Sequence, residues 1–173
     1  VVKDHFFTPG YYLKHNFSRE PSIHGAVSMN FCHLGKLSEY STEFFAHHMK
    51  DWSMFKSIVE LDNPAFLAEH PCLYLFIDGR YYEARIFAGV CYWREKADDF
   101  TARTKFDSRS DYGDWLSEIS ARNVLNTGIE AEADDRVAVF CTCAYPAENN
   151  FDTFAAYGIL REIDVEEAQM GGK

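Results

Sequence analysis

Positive charge is scarce in this chain. Seventeen Lys and Arg face 27 Asp and Glu across 173 residues, for a formal net charge of −10. Phosphate backbones are held by clustered cations, so a nucleic-acid partner is set aside and the acidity reads as ordinary solubility. Long apolar runs are missing too: nothing approaches the ~18 residues of a membrane-spanning helix. No signal-peptide pattern is visible. The chain opens "VVKDHFF", without Met and in mid-pattern. That reads as a trimmed N-terminus and leaves the native location open. No repeat or Pro/Gly-rich linker divides the sequence, so a single domain over 1–173 is expected. The five cysteines, Cys32, Cys72, Cys91, Cys141 and Cys143, are odd in number and irregularly spaced, which is no disulfide framework.

What is present is apolar and aromatic. The apolar fraction is 47%, with 15 Phe and 10 Tyr, which favours strands over helices. "YYLKHNF" (11–17) reads as a short extended or helical segment. "GAVSMNF" (25–31) alternates like a strand, and "EFFAHHM" (43–49) like a strand running into a loop. Asn63 and Pro64 open a short helix that Pro71 stops. Asp78-Gly79, between two aromatic and β-branched runs over 72–93, predicts a hairpin turn. Tyr112, Trp115, Leu116 and Ile119 recur at helical spacing within 110–123, with Ser110 or Asp111 as cap. Residues 127–143 read as a strand, an Asp-Asp turn and a strand buried on both faces; 154–163 reads as another strand. The fold expected is mainly β: a closed or nearly closed barrel of about eight strands with few helices. The 110–123 helix packs outside it, between the strands it connects.

The stretch "FCTCAYPAENN" (140–150) carries the chemistry. On a strand, Cys141 and Cys143 share one face and Thr142 takes the other. A disulfide between them is strained, because i and i+2 lie about 6.6–6.8 Å apart. A metal site could join them to His47 and His48, but structural zinc favours two paired motifs and there is no second pair. Cys141, inside the apolar run, reads as a buried hydrophobe. Cys143, at the end of the run, reaches a loop where a thiol meets solvent. A thiol nucleophile needs a base or cation beside it. His47 and His48 lie at a loop opening, whereas His5, His15, His24 and His70 have polar surroundings. At this level nucleophile, metal ligand and buried hydrophobe all stay open.

Four segments, taken in order, resemble the class B sortases, extracytoplasmic cysteine transpeptidases of Gram-positive bacteria. "FFAHHMKDWSMFKSI" is similar to the family's Tyr-Gly-His-Asn-Met segment and the Ser-Met-Phe run after it. "FLAEHPCLYLFIDGRYYEARIFAG" resembles its helix, Glu-His-Pro and hairpin. "DYGDWLSEISARNVLNTGIEAEADDRVAVFCTC" resembles the inserted helix, Asp-Thr-Gly-Val, Asp-Asp and a strand ending Leu-Ser-Thr-Cys. "VVKDHFFTPGYYLKHNF" resembles the early Pro-Val-Val and Tyr-Tyr-Leu segment. The inserted helix points to class B.

The resemblance implies a sortase-type mechanism with His47 and Cys143 as catalytic pair. The family's Gly before the His is Ala46 here, and its following Asn is His48. Its Leu-Ser-Thr-Cys reads Phe140, Cys141, Thr142, Cys143. Its catalytic Arg falls on Thr153, a departure that implies weak activity. Arg161 is too far along the same strand to substitute; Arg103, in the long connection after Trp93, is a further candidate. Substrate-lining positions carried over are Leu13, Phe100, Thr101 and Cys141. The partners implied are a sorting-signal peptide resembling Asn-Pro-x-Thr-x and an amine acceptor from the cell wall or a pilin lysine. No cofactor or metal and no nucleic acid are implied, and the protein is expected to be a monomer. The full-length protein is expected to be extracytoplasmic and membrane-anchored. The alternatives are a degenerate, binding-only sortase-like domain and a Cys/His metal-binding protein.

Overall fold

A computed structural model describes residues 1–3, 10–29, 37, 39–92, 103–143 and 153–171. Among these residues, seven strands form one curled sheet: β1 (Val2–Lys3), β2 (Ser28–Met29), β3 (Ser41–Phe45), β4 (Cys72–Ile77), β5 (Arg80–Tyr92), β6 (Val137–Cys143) and β7 (Thr153–Ile163). Their order is β1-β2-β3-β6-β7-β5-β4. β1 with β2 and β3 with β6 are parallel, and the other pairs are antiparallel. The mainly-β, barrel-like architecture is as expected, but the sheet curls with β1 and β4 as its edges. Among the described residues the α-helices are α1 (Lys56–Val59), α2 (Pro64–Glu69), α3 (Arg109–Ala121) and α4 (Val165–Gly171).

Local chemistry explains most of these elements. Asp78 and Gly79 both have positive φ (52° and 78°), the geometry a two-residue hairpin turn requires. Asn63 caps α2 by accepting from the Ala65 amide (3.0 Å), with Pro64 in the first turn. α3 buries Tyr112, Trp115, Leu116 and Ile119 as its spacing predicts. Its cap differs: the Ser108 hydroxyl accepts from the Asp111 amide at 3.1 Å, so the helix starts before Ser110 and Asp111. Tyr11–Leu13 is a 3₁₀ turn. The strand expected after Thr127 does not form. Ile129, Ala131 and Ala133 pack against the core in alternation, but no ladder pairs them. Alternation shows which side faces the core; it does not supply a partner strand.

The sheet has two apolar faces. One carries Phe44, Phe140, Ala156 and Phe154, packed with Ile58 and Leu61 from the segment around α1. The other carries Val139, Val90 and Tyr157 beneath the apolar side of α3. In β5 the register shifts between Ile86 and Ala88. This bulge reverses the alternation: Ala84 and Ile86 face the first layer, while Ala88, Val90 and Tyr92 face α3. The carbonyl of Phe87 there accepts from Asn123 Nδ2 (3.2 Å) and Thr127 Oγ1 (2.7 Å). The bulge therefore puts Tyr92 on the same face as the cysteines at the end of β6.

Candidate active site

Cys143 is the last residue of β6 and is exposed; Cys141, two residues earlier, is buried. Both lie on the α3 face, and Thr142 lies on the other. In the β6–β7 ladder Cys143 is the register partner of Thr153, and Thr153 is in turn the partner of Tyr92 on β5. Cys143, Thr153 and Tyr92 thus form one row across three strands, at one end of the sheet. Cross-strand neighbours of this kind hold their Cβ atoms about 4.5–5.5 Å apart.

His47 approaches this row from the other side. β3 runs parallel to β6 with Phe45 opposite Cys141. Beyond this last ladder pair, His47 lies two residues past Phe45 and Cys143 two residues past Cys141. The two segments remain joined past the end of the ladder. The Ala46 amide donates to the Cys141 carbonyl (3.4 Å), and the Thr142 hydroxyl donates to the Ala46 carbonyl (2.9 Å). His48 Nδ1 lies 2.9 Å from the Cys143 carbonyl oxygen.

The imidazole of His47 is half-buried, and its Nε2 lies 2.6 Å from the Leu13 carbonyl oxygen. A carbonyl only accepts, so Nε2 carries a proton and, in the neutral ring, Nδ1 is the nitrogen left to accept one. Leu13 is held by its own turn: its amide donates to Gly10 (3.0 Å), and the Ala26 amide donates to Tyr12 (2.8 Å). Gly25 passes beneath at φ 63°, so close that a Cβ there would overlap the Tyr12 carbonyl oxygen. His24 Nε2, 3.2 Å from Asp51, ties this segment to the loop after His48. Hydrogen bonds from Ser53 hold the Asp51 carboxyl below its usual pKa.

Of the sequence-derived positions, Cys143, Thr153 and Cys141 lie on neighbouring points of one face, and His47 meets Leu13 through the hydrogen bond just described. Phe100 and Thr101 lie outside the described residues. Two arginines are placed away from the row. Arg161 pairs with Glu167 (3.1 Å) and Glu83 (3.9 Å). Arg103 makes a two-pronged ion pair with Asp111 (2.6 and 2.8 Å), and its carbonyl accepts from Ser41 at the start of β3. Ser41 is level with Val137, six residues from Cys143, or about 20 Å along the strand. Arg103 is therefore anchored at the opposite end of the sheet.

The sequence did not point to Arg122 or to the role of His48. Arg122, capping the C-terminal end of α3, lays its guanidinium over the Tyr92 ring at 4.7 Å. Beneath it the Tyr92 and Tyr157 hydroxyls are hydrogen-bonded to each other. Burial pushes the Tyr92 phenol up to about 12 and Tyr157 well above its usual value, so both are neutral near pH 7. Burial lowers the pKa of His48, with the Lys56 ammonium adding to the effect. Among the described residues no group of three or more His, Cys, Asp or Glu is arranged to hold a metal ion.

No family model matches the chain. It is 26% identical over 133 residues to sortase B of Listeria monocytogenes, a match covering 77% of this chain and 53% of that protein. Against sortase B of Staphylococcus aureus it is 26% identical over 134 residues, covering 76% and 53%. The chain thus spans about half the length of the curated relatives it matches. Among solved structures, a Staphylococcus aureus sortase B–substrate complex superposes with a TM-score of 0.81 at 20% identity, covering 94% of this chain and 73% of that one. Sortase B from Listeria monocytogenes gives 0.77 at 22%, covering 93% and 85%. Along about three quarters of its length this chain is thus similar in sequence to sortase B proteins, and it shares the fold of the sortase B structures.

Proposed function

We propose that this chain carries a cysteine transpeptidase site in which Cys143 is the nucleophile and His47 its acid–base partner. The observation that carries the reading is the ladder: an exposed thiol at the end of β6, directly opposite Thr153, on the strand that pairs with β3 just before His47. Nδ1 of His47 takes the thiol proton. The Cys143 sulfur then adds to the carbonyl carbon of Thr in a sorting signal of the Asn-Pro-x-Thr-x kind. As the peptide C–N bond breaks, the imidazolium gives its proton to the leaving amine, and a thioester remains. An incoming amine, from the cell wall or a pilin lysine, adds to the thioester, displaces the sulfur and forms the new amide. No cofactor takes part. Leu13 and Cys141 border the peptide path. The protein works as a monomer, outside the cytoplasm and anchored in the full-length form.

Thr153 sets the rate. A developing oxyanion opposite Cys143 meets one neutral hydroxyl donor at this position, where an arginine would offer several charged ones. Losing one oxyanion donor costs about 10²–10³ in rate, so slow turnover follows. The same residue, with Ala46, supports a second reading in which the groove binds a sorting signal without cleaving it.

The test is incubation with a library of sorting-signal peptides, followed by intact-mass analysis. A thioacyl adduct that maps to Cys143 and vanishes in Cys143→Ala is the expected result. Peptide binding without adduct at any time point would favour the binding-only reading. Neither binding nor adduct would defeat both.

A further inference from the structure

We propose that His48 is a positioning residue for the transfer: by donating from Nδ1 to the carbonyl of Cys143, it fixes the thiol-bearing end of β6 against His47. This rests on the reading of Cys143 as nucleophile given above.

The argument starts from the parallel ladder. The Ala46 amide donates to the Cys141 carbonyl. Continuing that pattern by two residues would bring the amide of residue 48 to the carbonyl of Cys143. The chain turns away first: the Phe55 amide donates to the His47 carbonyl (2.9 Å), and His48 forms an isolated bridge with Met54. The bond to the Cys143 carbonyl is supplied by the His48 ring instead, at 2.9 Å and across 95 residues of sequence. A carbonyl can only accept, so the proton sits on Nδ1 of His48.

Cys143 needs such a hold. It is exposed and ends its strand, and toward β3 it has passed the last ladder pair, Phe45–Cys141. His48 is itself buried (9% exposed), so its ring direction is set by packing. The segment 46–48 is therefore fastened to 141–143 at three points: the Ala46 amide, the Thr142 hydroxyl and the His48 ring. The first two fix the strand before the nucleophile, and the third fixes the nucleophile's own peptide group. Because His47 adjoins His48, the same short segment supplies the base and the clamp. Misplacing a reacting group by about 1 Å can cost about 10²-fold.

Asparagine carries an amide nitrogen at the same δ position and can donate to the same carbonyl. Leucine has comparable bulk without a donor, and glutamine holds its donor one carbon further out. The experiment compares the parent protein with His48→Asn, His48→Leu and His48→Gln. Two quantities are read: alkylation of Cys143 by iodoacetamide from about pH 5 to about pH 10, mapped by peptide mass, and kcat and KM on a sorting peptide. Circular dichroism checks the fold. His48→Asn is expected within about 3-fold of the parent, with a superposable alkylation profile. His48→Leu and His48→Gln are expected to lose about 10- to 100-fold in kcat with little change in KM, and to shift the profile.

Equal losses in Asn and Leu, or a Leu variant identical to the parent, would overturn the proposal. If the Leu variant does not fold, the contrast between Asn and Gln decides in the same way. If the parent turns over no peptide, the transpeptidase reading fails. The alkylation profiles then judge the clamp alone, and superposable curves for parent, Leu and Gln would remove it.

Discussion

Replacing Thr153 with Arg puts a guanidinium beside the candidate nucleophile. Thr153 is the register partner of Cys143, so the two Cβ atoms are about 4.5–5.5 Å apart on one face, a gap an Arg side chain spans. A hydrogen bond to a charged group contributes about 1.5–3 kcal/mol net. At 1.36 kcal/mol per tenfold, one recovered contact to the oxyanion corresponds to roughly 10- to 150-fold in rate. The other neighbour of Thr153 lowers this. Tyr92 already carries the Arg122 guanidinium over its ring, so a second cation arrives beside a like charge. Arg122 is about one-third exposed, and solvent screens part of the repulsion. The expected gain is therefore near the lower end, about 10-fold. The assay is cleavage of a fluorogenic sorting peptide by the parent, Thr153→Arg and Cys143→Ala. A parent already fast, abolished by Cys143→Ala and unimproved by Thr153→Arg, would refute the reasoning: the oxyanion would then have another donor. Arg103 is not that donor, since its pairing with Asp111 holds it about 20 Å away along the strand.

Gly25→Ala should drive a methyl into the Tyr12 carbonyl oxygen at a left-handed backbone position. It should cost about 2 kcal/mol or more and loosen the Leu13 carbonyl that His47 holds, read as a lower denaturation midpoint with altered Cys143 alkylation. Ser108→Ala removes the hydroxyl that caps α3 and should cost about 1 kcal/mol by denaturant titration, with peptide cleavage unchanged. The pH dependence of stability should carry a signature of His48. Burial holds its folded pKa below 6.5, so the unfolded chain takes up the proton first. Stability from the neutral ring is whole above about pH 6.5 and falls as pH drops through that value toward the folded pKa. Unfolding midpoints across that window should show this slope in the parent and a flatter one in His48→Asn.

Signals carried by a few adjacent residues were legible in the sequence. The Asp78-Gly79 turn, the Asn63-Pro64 helix start and the 3.6-residue spacing of Tyr112, Trp115, Leu116 and Ile119 each declare a local geometry. What stayed hidden depends on partners far away. Residues 127–133 alternate like a strand, yet no strand lies alongside to complete a ladder. The bulge after Ile86 reverses which face Tyr92 takes, and no residue type there announces it. The helix Val165–Gly171 lies beyond the last element that was expected. At the site, residue types and loop position alone offered both His47 and His48 to the cysteines, and the family resemblance assigned His47. The structure adds what each ring touches: His47 meets the Leu13 carbonyl and His48 the Cys143 carbonyl. Arg122 escaped notice because its link to Tyr92 runs between a helix end and a strand end.

The parallel pairing of β3 with β6 also has a bearing on when the thiol becomes reactive. Its partners in space are separated by about 95 residues of chain, with the β4–β5 hairpin and α3 lying between them. Contacts of such high sequence separation come with a large loop-closure entropy and belong to slow-folding topologies. β6 is also flanked on both sides, by β3 and by β7, and β7 is the last strand of the chain. A nascent polypeptide that has emerged only as far as His48 has the proposed base and not yet Cys143. One that has emerged as far as Cys143 still lacks the strand that closes the ladder on the other flank. On the proposed reading, Cys143 is held against His47 on both flanks only once β7 has paired, so a half-made chain carries no assembled Cys–His pair for a peptide to acylate.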